Sequence, residues 1–276
     1  MGMEVRTNVI YLTTLCNLNC SYCYERKNRE TKGFVHKTIT SAEINAFVDE
    51  VSTREEGHGS CVVIFGGEPL LKPDLIVELF DKFLERKKEV HFDLITNGTL
   101  IDPGFARMLK DYQFRLSKAS CSLQIEVSYD VSGQRERLYP NGKESNSIVL
   151  RGIRTLQEFQ IPFVISYVVS PSNVDNILKD VLYCILILKA SKVGLKWAIS
   201  DLNLAGVDSA AVKEYIRPRL KEIYRRFKIP ICEEVCGDCK SCDKTKDGNS
   251  YCIPDTGIIK SESYIEKEFD HFREKP

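Results

Sequence analysis

The stretch "CVVIFGGEPLLKPDLIVELFDKFLERKK" at residues 61–88 holds one complete structural unit. Its opening "CVVIF" is a short run rich in β-branched residues, the composition of a buried strand. Two glycines end the run, and "KPDLIVELFDKFLERKK" reads as a helix with Pro73 near its first turn. Between strand and helix stands Gly66-Gly67-Glu68-Pro69. The fold question is whether this unit repeats.

It does, in both directions. Upstream, "VIYLTT" (9–14) reads as a strand, and "TSAEINAFVDEV" (40–51) opens with a capping box from Thr40 to Glu43. Apolar Ile44, Phe47, Val48 and Val51 then form one face of a helix. Downstream, "VHFDLITNG" (90–98) precedes the helical "DPGFARMLKDY", and "SLQIEVSYD" (122–130) precedes "SIVLRGIRTLQEF" after a polar loop at 133–146. "PFVISYVVS" (162–170) leads to a helix over about 173–188. "KVGLKWAIS" (192–200) leads to one over about 208–227, which Pro218 is expected to kink or split. Six strand–helix units imply parallel strands joined by right-handed crossovers. A doubly wound sheet and a (β/α) barrel share this pattern, and six units are too few for the eight-stranded barrel. Either architecture gathers chemistry in the loops after the carboxyl ends of strands. The unusual residues all fall there: the cysteine loop at 15–25, Gly66–Pro69, "TNG" at 96–98 and "SYD" at 128–130.

Composition narrows the function classes. The chain has 276 residues with 39 Lys+Arg against 39 Asp+Glu, so no global field selects nucleic acid or an anionic membrane. The basic run "RPRLKEIYRRFK" (217–228) reads as the solvated face of a helix. No apolar run approaches the roughly 20 residues of a membrane span. The opening "MGMEVRTNVI" lacks a signal-peptide pattern, and Arg6 stands where a myristoylation signal needs Ser or Thr. Of eleven cysteines, Cys61, Cys121 and Cys184 sit in or beside apolar runs as small hydrophobes. The other eight are clustered, which points to metal binding in a reducing compartment rather than to disulfides. The expected location is cytoplasmic.

Cys16, Cys20 and Cys23 stand at C-x3-C-x2-C in "LCNLNCSYCYE" (15–25). Three thiolates can hold three irons of a 4Fe–4S cluster and leave the fourth open, as three protein ligands do at catalytic zinc. A zinc ion completed by a ligand from elsewhere, such as His36, is the alternative. With aromatic Tyr22 before the third cysteine and a strand before the first, the loop resembles the cluster-binding loop of the radical S-adenosylmethionine enzymes. Gly66-Gly67-Glu68-Pro69, at the end of the second strand, is similar to that family's "GGE" segment. The likeness covers roughly residues 5–200 and implies a partial (β/α)6 TIM-type barrel, assigned here to residues 1–228. It also implies a 4Fe–4S cluster and S-adenosylmethionine as cofactors. By the same resemblance, Glu68 and the adjoining backbone of Gly66, Gly67 and Pro69 orient the methionine moiety. Asn97, Ser128 and Asp130 fix ribose or carboxylate, and Tyr22 packs beside the cluster or contacts adenine. On the residues alone, "TNG" is equally a turn, and Ser128 and Asp130 are equally helix-capping groups. Ser-Tyr-Asp-Val also departs from the family's S-x-D-G. The implied reaction is reductive cleavage of S-adenosylmethionine to a 5′-deoxyadenosyl radical, with the electron from an external donor such as flavodoxin or ferredoxin.

Past residue 229 the alternation stops. Cys232, Cys236, Cys239, Cys242 and Cys252 place five thiols in 21 positions of a polar segment, 229–276, that a metal is expected to organise. Four would saturate a zinc ion or a second 4Fe–4S cluster. The segment resembles a short SPASM or twitch extension, with "CIPDTGII" (252–259) like its hairpin. That likeness favours a peptide or protein side chain as substrate, for cross-linking, oxidation or epimerisation. A small metabolite or nucleotide is the alternative substrate, and a non-catalytic electron carrier or binding protein the alternative class. Tyr24, Glu25, Arg26, Tyr129, Tyr167 and Trp197 are candidates to face the substrate, although Tyr167 and Trp197 also suit a core. The polar loop at 132–146 reads either as a gate or as a plain connection.

Overall fold

The computed structural model describes residues 5–23, 25–26, 30, 34–53 and 59–234. Its strands are β1 (Val5–Thr13), β2 (Gly59–Gly66), β3 (His91–Thr96), β4 (Ser122–Ser128), β5 (Phe163–Val169), β6 (Lys192–Trp197) and β7 (Ile231–Glu234). The helices are α1 (Ser41–Thr53), α2 (Pro73–Arg86), α3 (Pro103–Lys118), α4 (Asn146–Glu158), α5 (Ile177–Leu186), α6 (Ile199–Leu204) and α7 (Ser209–Phe227). All seven strands lie in one sheet, in consecutive order from β1 to β7, and each pairs parallel with its neighbours. A doubly wound sheet reverses its strand order at a switch point, whereas a consecutive order belongs to a barrel. The sheet is therefore a partial TIM-type barrel, with β1 and β7 at its edges.

The two faces of the sheet differ in chemistry. Along β3, Phe92 and Leu94 are fully buried while His91, Asp93 and Ile95 are half-buried. The outward set meets the helices in a chain of aromatic contacts. Phe92 stacks edge-on to Phe80 at 4.9 Å and Phe83 at 5.3 Å, Phe80 meets Tyr112 at 5.2 Å, and Phe83 meets Phe47 at 6.4 Å. One chain of rings thus ties α1, α2 and α3 to β3, with geometry that adds to the area buried. The inward set is polar: Gln124 Nε2 donates to Asp93 Oδ1 at 3.2 Å, and Lys196 Nζ donates to Glu126 Oε1 at 2.6 Å. The apolar core therefore lies between sheet and helices, leaving the barrel interior for polar work.

Three sequence expectations change. Strand β7, from "ICEE", lies beyond the six units read from the sequence; it is short and half polar, and forms by pairing with β6 and burying Ile231 completely. Helix α7 is not split at Pro218. Proline leaves the Glu214 carbonyl without its amide partner, and one residue on Arg219 Nη1 donates to the Tyr215 carbonyl at 2.6 Å. The "AIS" read as the end of the sixth strand leads instead into α6. Cys61, Cys121 and Cys184 are buried free thiols, as expected.

Candidate active site

The site is built where β1 and β2 end. Gly67 N–H donates to the Thr13 carbonyl at 2.7 Å and Glu68 N–H to the Leu15 carbonyl at 2.8 Å, so the glycine segment continues the pairing into the cysteine loop. This close approach requires glycine. A Cβ on Gly67 would lie 2.1 Å from the Leu15 carbonyl oxygen, and one on Gly66 2.4 Å from that of Thr13; Gly66 also has φ +134. The carboxylate of Glu68 is fully buried and takes three donors: Thr96 Oγ1 at 2.7 Å, Asn97 N–H at 2.7 Å and Leu70 N–H at 3.0 Å. Burial pushes its pKa up, and these donors oppose the rise. The acid of "GGE" thereby locks the ends of β2 and β3 together. Pro69 begins the buried 3-10 turn that follows.

Cys16, Cys20 and Cys23 line a cavity of about 330 Å³, together with Tyr22, Gly66, Gly67, Glu68, Asn97 and Ser128. Leu18 N–H points at Cys16 Sγ from 3.4 Å, and Asn97 Nδ2 lies 3.9 Å from the same sulfur. Asn97 is itself held by Asn17 and Thr99. Both donors therefore point at the Cys16 sulfur. Burial pushes the Cys20 thiol up to about 11, against the pull of Arg137, so ligation there must displace a proton. His36 is exposed, contacts Thr14 Oγ1 at 3.4 Å and is absent from the cavity lining. A single zinc with sulfur ligands at 2.3 Å would bring the thiols to about 3.8 Å from one another. Among the described residues, no three Cys, His, Asp or Glu side chains converge in a way that could hold one metal ion. Three thiols around a cavity instead leave room for a larger cluster, and the residues present fit one.

Asp130 is fully buried and does not line the cavity. It accepts a short hydrogen bond from the Tyr22 hydroxyl and another from Val168 N–H at 2.9 Å. Arg137 completes the group, donating to Tyr22 Oη at 2.7 Å and lying 3.7 Å from Asp130. Burial drives the Tyr22 pKa well up, so its hydroxyl stays protonated. Burial alone would lower the Arg137 pKa, but its acidic neighbours, the Asp130 carboxylate among them, and its hydrogen bond to Tyr22 hold it well above the ordinary guanidinium value.

The sequence did not single out Arg137, which lines the cavity from within the polar loop at 132–146. That loop is a strap. Asn19 N–H donates to the Leu138 carbonyl and Ser21 N–H to that of Glu136, while the Glu136 carboxylate accepts from Ser21 Oγ at 2.6 Å and Ser170 Oγ at 2.9 Å. The cysteine loop is thus held on one side by β2 and on the other by residues 136–138. Among the other candidates, Glu25 and Trp197 line the cavity, Arg26 pairs with Glu30, and Tyr129 donates to Asn146. Tyr167 is a core residue whose hydroxyl donates to Asp180 at 2.9 Å. Cys232 lies on β7; Tyr24, Cys236, Cys239, Cys242 and Cys252 lie outside the described residues.

A parallel barrel with three thiols, a glycine cradle and a cavity at the carboxyl ends of its strands defines a metal- and cofactor-binding (β/α) domain. Residues 10–183 match the radical SAM superfamily, and the chain belongs to it. An uncharacterized protein of Methanocaldococcus jannaschii is 30% identical over 179 residues, covering 64% of this chain and 57% of its own. A Fe-coproporphyrin III synthase of Methanosarcina barkeri is 27% identical over 226 residues, covering 78% of this chain and 51% of its own. The chain therefore spans about half the length of these relatives. The crystal structure of Streptococcus suis SuiB bound to S-adenosylmethionine superposes with a TM-score of 0.57 at 18% identity, over 85% of this chain and 51% of that one. At that identity the likeness is one of fold. Among the described residues, no helix is long and apolar enough to cross a membrane.

Proposed function

We propose that the chain is a radical S-adenosylmethionine enzyme that removes a hydrogen atom from a peptide or protein side chain. The observation that carries the reading is the convergence of Cys16, Cys20, Cys23, the Gly66–Gly67 backbone and Asn97 on one cavity. The three thiols would hold a 4Fe–4S cluster with one iron open to S-adenosylmethionine. When bound, that pair supplies a 5′-deoxyadenosyl radical on receipt of an electron, from a donor such as flavodoxin or ferredoxin. The protein's own work is binding, orientation and exclusion of water. Leu18 N–H and the Asn97 amide steady the Cys16 thiolate, and the glycine segment admits a ligand close to backbone. Ser128 and Asn97 offer polar contacts to the cofactor. Asp130 acts from behind the wall, positioning Tyr22, and Glu68, which is part of the wall, holds the β3 end. Phe65, Ile95, Val168 and Trp197 give the cavity an apolar lining that keeps water from a reactive intermediate.

A peptide substrate is supported by the cysteine-rich tail and by SuiB, whose fold this chain shares and which has been seen bound to its precursor peptide. A second metal in the tail, as an auxiliary cluster or zinc, belongs to the same reading. The second reading is a small-molecule substrate, favoured by the 27% identity to the coproporphyrin synthase. Anaerobic reconstitution with dithionite and S-adenosylmethionine tests the reading: 5′-deoxyadenosine should form, and Cys20→Ala should abolish it together with about four irons per chain. Retained turnover in Cys20→Ala would exclude radical chemistry at this site. Peptides and metabolite pools added separately discriminate the substrates, because the true substrate raises 5′-deoxyadenosine above the substrate-free rate.

A further inference from the structure

The charge on the barrel's inner wall is uneven. Glu126 of β4 pairs in register with Val164 of β5, and Val164 with Lys192 of β6, so all three project to one face. Lys196 stands four residues further along β6, on that same face. Along the inward face of β4, β5 and β6 these are the charged residues, so two lysines share one carboxylate. Burial alone would raise the Glu126 pKa, but Lys196, Ser166 and Lys192 hold it below its ordinary value. Glu126 is buried and absent from the cavity lining, whereas Lys196 lines the cavity and keeps 29% of its side chain exposed. Its Nζ lies 2.6 Å from Glu126 Oε1, so its counter-charge fixes it from behind while it faces the cavity.

The other charged residues of the lining stand on the side of the cysteine loop. Glu25 ends that loop, Glu68 N–H donates to Leu15 and Arg137 bonds Tyr22. Lys196 is five strands away from β1, which leads into the loop. A guest that fills the cavity strips water from the Lys196 ammonium, and a negative charge on the guest offsets that cost. We propose that Lys196, backed by Glu126, anchors the substrate by receiving one of its carboxylates. This deepens the proposed function and rests on the cavity being where substrate meets radical. In that function the methionine end of the cofactor lies with the cysteine loop and Gly66–Gly67, so the carboxylate at Lys196 is the substrate's own. It is an acidic side chain of a peptide or the acid group of a small molecule.

Trp197, the chain's sole tryptophan, adjoins Lys196 and lines the same cavity, with Lys213 Nζ 4.7 Å from its ring centroid. Its fluorescence therefore reports on guests beside Lys196. The metal-loaded full-length chain is titrated with 3-phenylpropionate and its uncharged amide, and with acetyl-Gly-Glu-Gly-amide and its Gln twin. An acid should bind about tenfold or more tightly than its uncharged twin. Preference for the Glu peptide puts the carboxylate on a peptide, and preference for phenylpropionate alone puts it on a small acid; either supports the proposal. Lys196→Met would strand the Glu126 carboxylate, so it is combined with Glu126→Gln. The double variant should keep the wild-type iron content and lose the preference, which Lys196→Arg should retain. Equal binding of acid and uncharged twin by the wild-type chain would overturn the proposal, and so would a preference that survives the double variant. Loss of the response under saturating S-adenosylmethionine would assign Lys196 to the cofactor's carboxylate and overturn it too. None of these readouts needs turnover. A chain that forms 5′-deoxyadenosine without preferring acids loses the anchor alone, and one that prefers acids without forming it keeps a carboxylate site and loses the radical reading.

Discussion

At the scale of single residues, the group that distinguishes this site is Tyr22–Asp130–Arg137, because it buries a charge pair under the cysteine loop. Removing the Tyr22 hydroxyl leaves the partners charged and still near each other at 3.7 Å. Tyr22→Phe should therefore cost about 1–3 kcal/mol of stability. Arg137→Met should cost more, about 3–5 kcal/mol, since it strands the fully buried Asp130 carboxylate without its cation. Adding Asp130→Asn to Arg137→Met should restore part of that loss. Urea midpoints decide it: equal costs for the two single variants would mean that the charge is not held as a pair. Tyr22 and Asp130 were legible in the sequence because each belongs to a motif at a strand end. Arg137 was not, since it stands in a polar loop beside other charged residues, and its contact with Tyr22 spans 115 positions. The role of Glu68 was half legible: the motif marked the residue, but only the structure shows its carboxylate spent on Thr96, Asn97 and Leu70.

At the scale of elements, helices with local start signals were readable and those made by tertiary contact were not. The capping box of α1 forms as the spacing predicts, with Thr40 N–H and Oγ1 donating to Glu43 Oε2 at 2.8 and 2.7 Å. These bonds hold the Glu43 carboxyl below its ordinary value. A depressed carboxyl stabilises the fold above its unfolded pKa and loses that contribution as pH falls through the folded value. Glu43→Ala should thus cost about 0.5–1 kcal/mol at neutral pH, at the low end because the pair is exposed, and progressively less in acid as pH falls through that depressed value. Thermal melts at neutral and acid pH check this; an equal deficit at both would assign the loss to helix propensity. Gly152 makes a different demand on α4, for a Cβ there would lie 2.4 Å from the Gly98 carbonyl oxygen. Gly152→Ala should push α4 off the β3 loop and cost about 1–3 kcal/mol by denaturant titration, despite the better helix propensity of alanine. Strand β7 was illegible because "ICEE" has no strand pattern of its own, and each of its residues pairs with one 38 positions upstream in β6.

At the scale of the whole molecule, the alternation of strand and helix announced a parallel sheet, but not which kind. Periodicity records that a strand has two faces and says nothing about its neighbour, so consecutive order had to come from the pairing itself. That order makes the last strand a cover for an edge. A chain stopped after Lys228 would leave β6 as a bare edge and remove the fully buried Ile231, worth about 2–3 kcal/mol on area alone. It should melt several degrees below a chain stopped after Glu234 and aggregate more readily; coincident melts would show that β7 contributes nothing to the barrel. Consecutive order also sets a schedule for synthesis, because each strand emerging from the ribosome finds its partner already made. The cysteine loop is the exception. Its cradle on β2 follows soon after it, but Arg137 is made 115 residues after Tyr22. At 5–20 residues per second that is a wait of about 6–23 s. During that interval the newborn chain presents three thiols without their strap, and it is then that oxygen or a stray metal finds them least guarded.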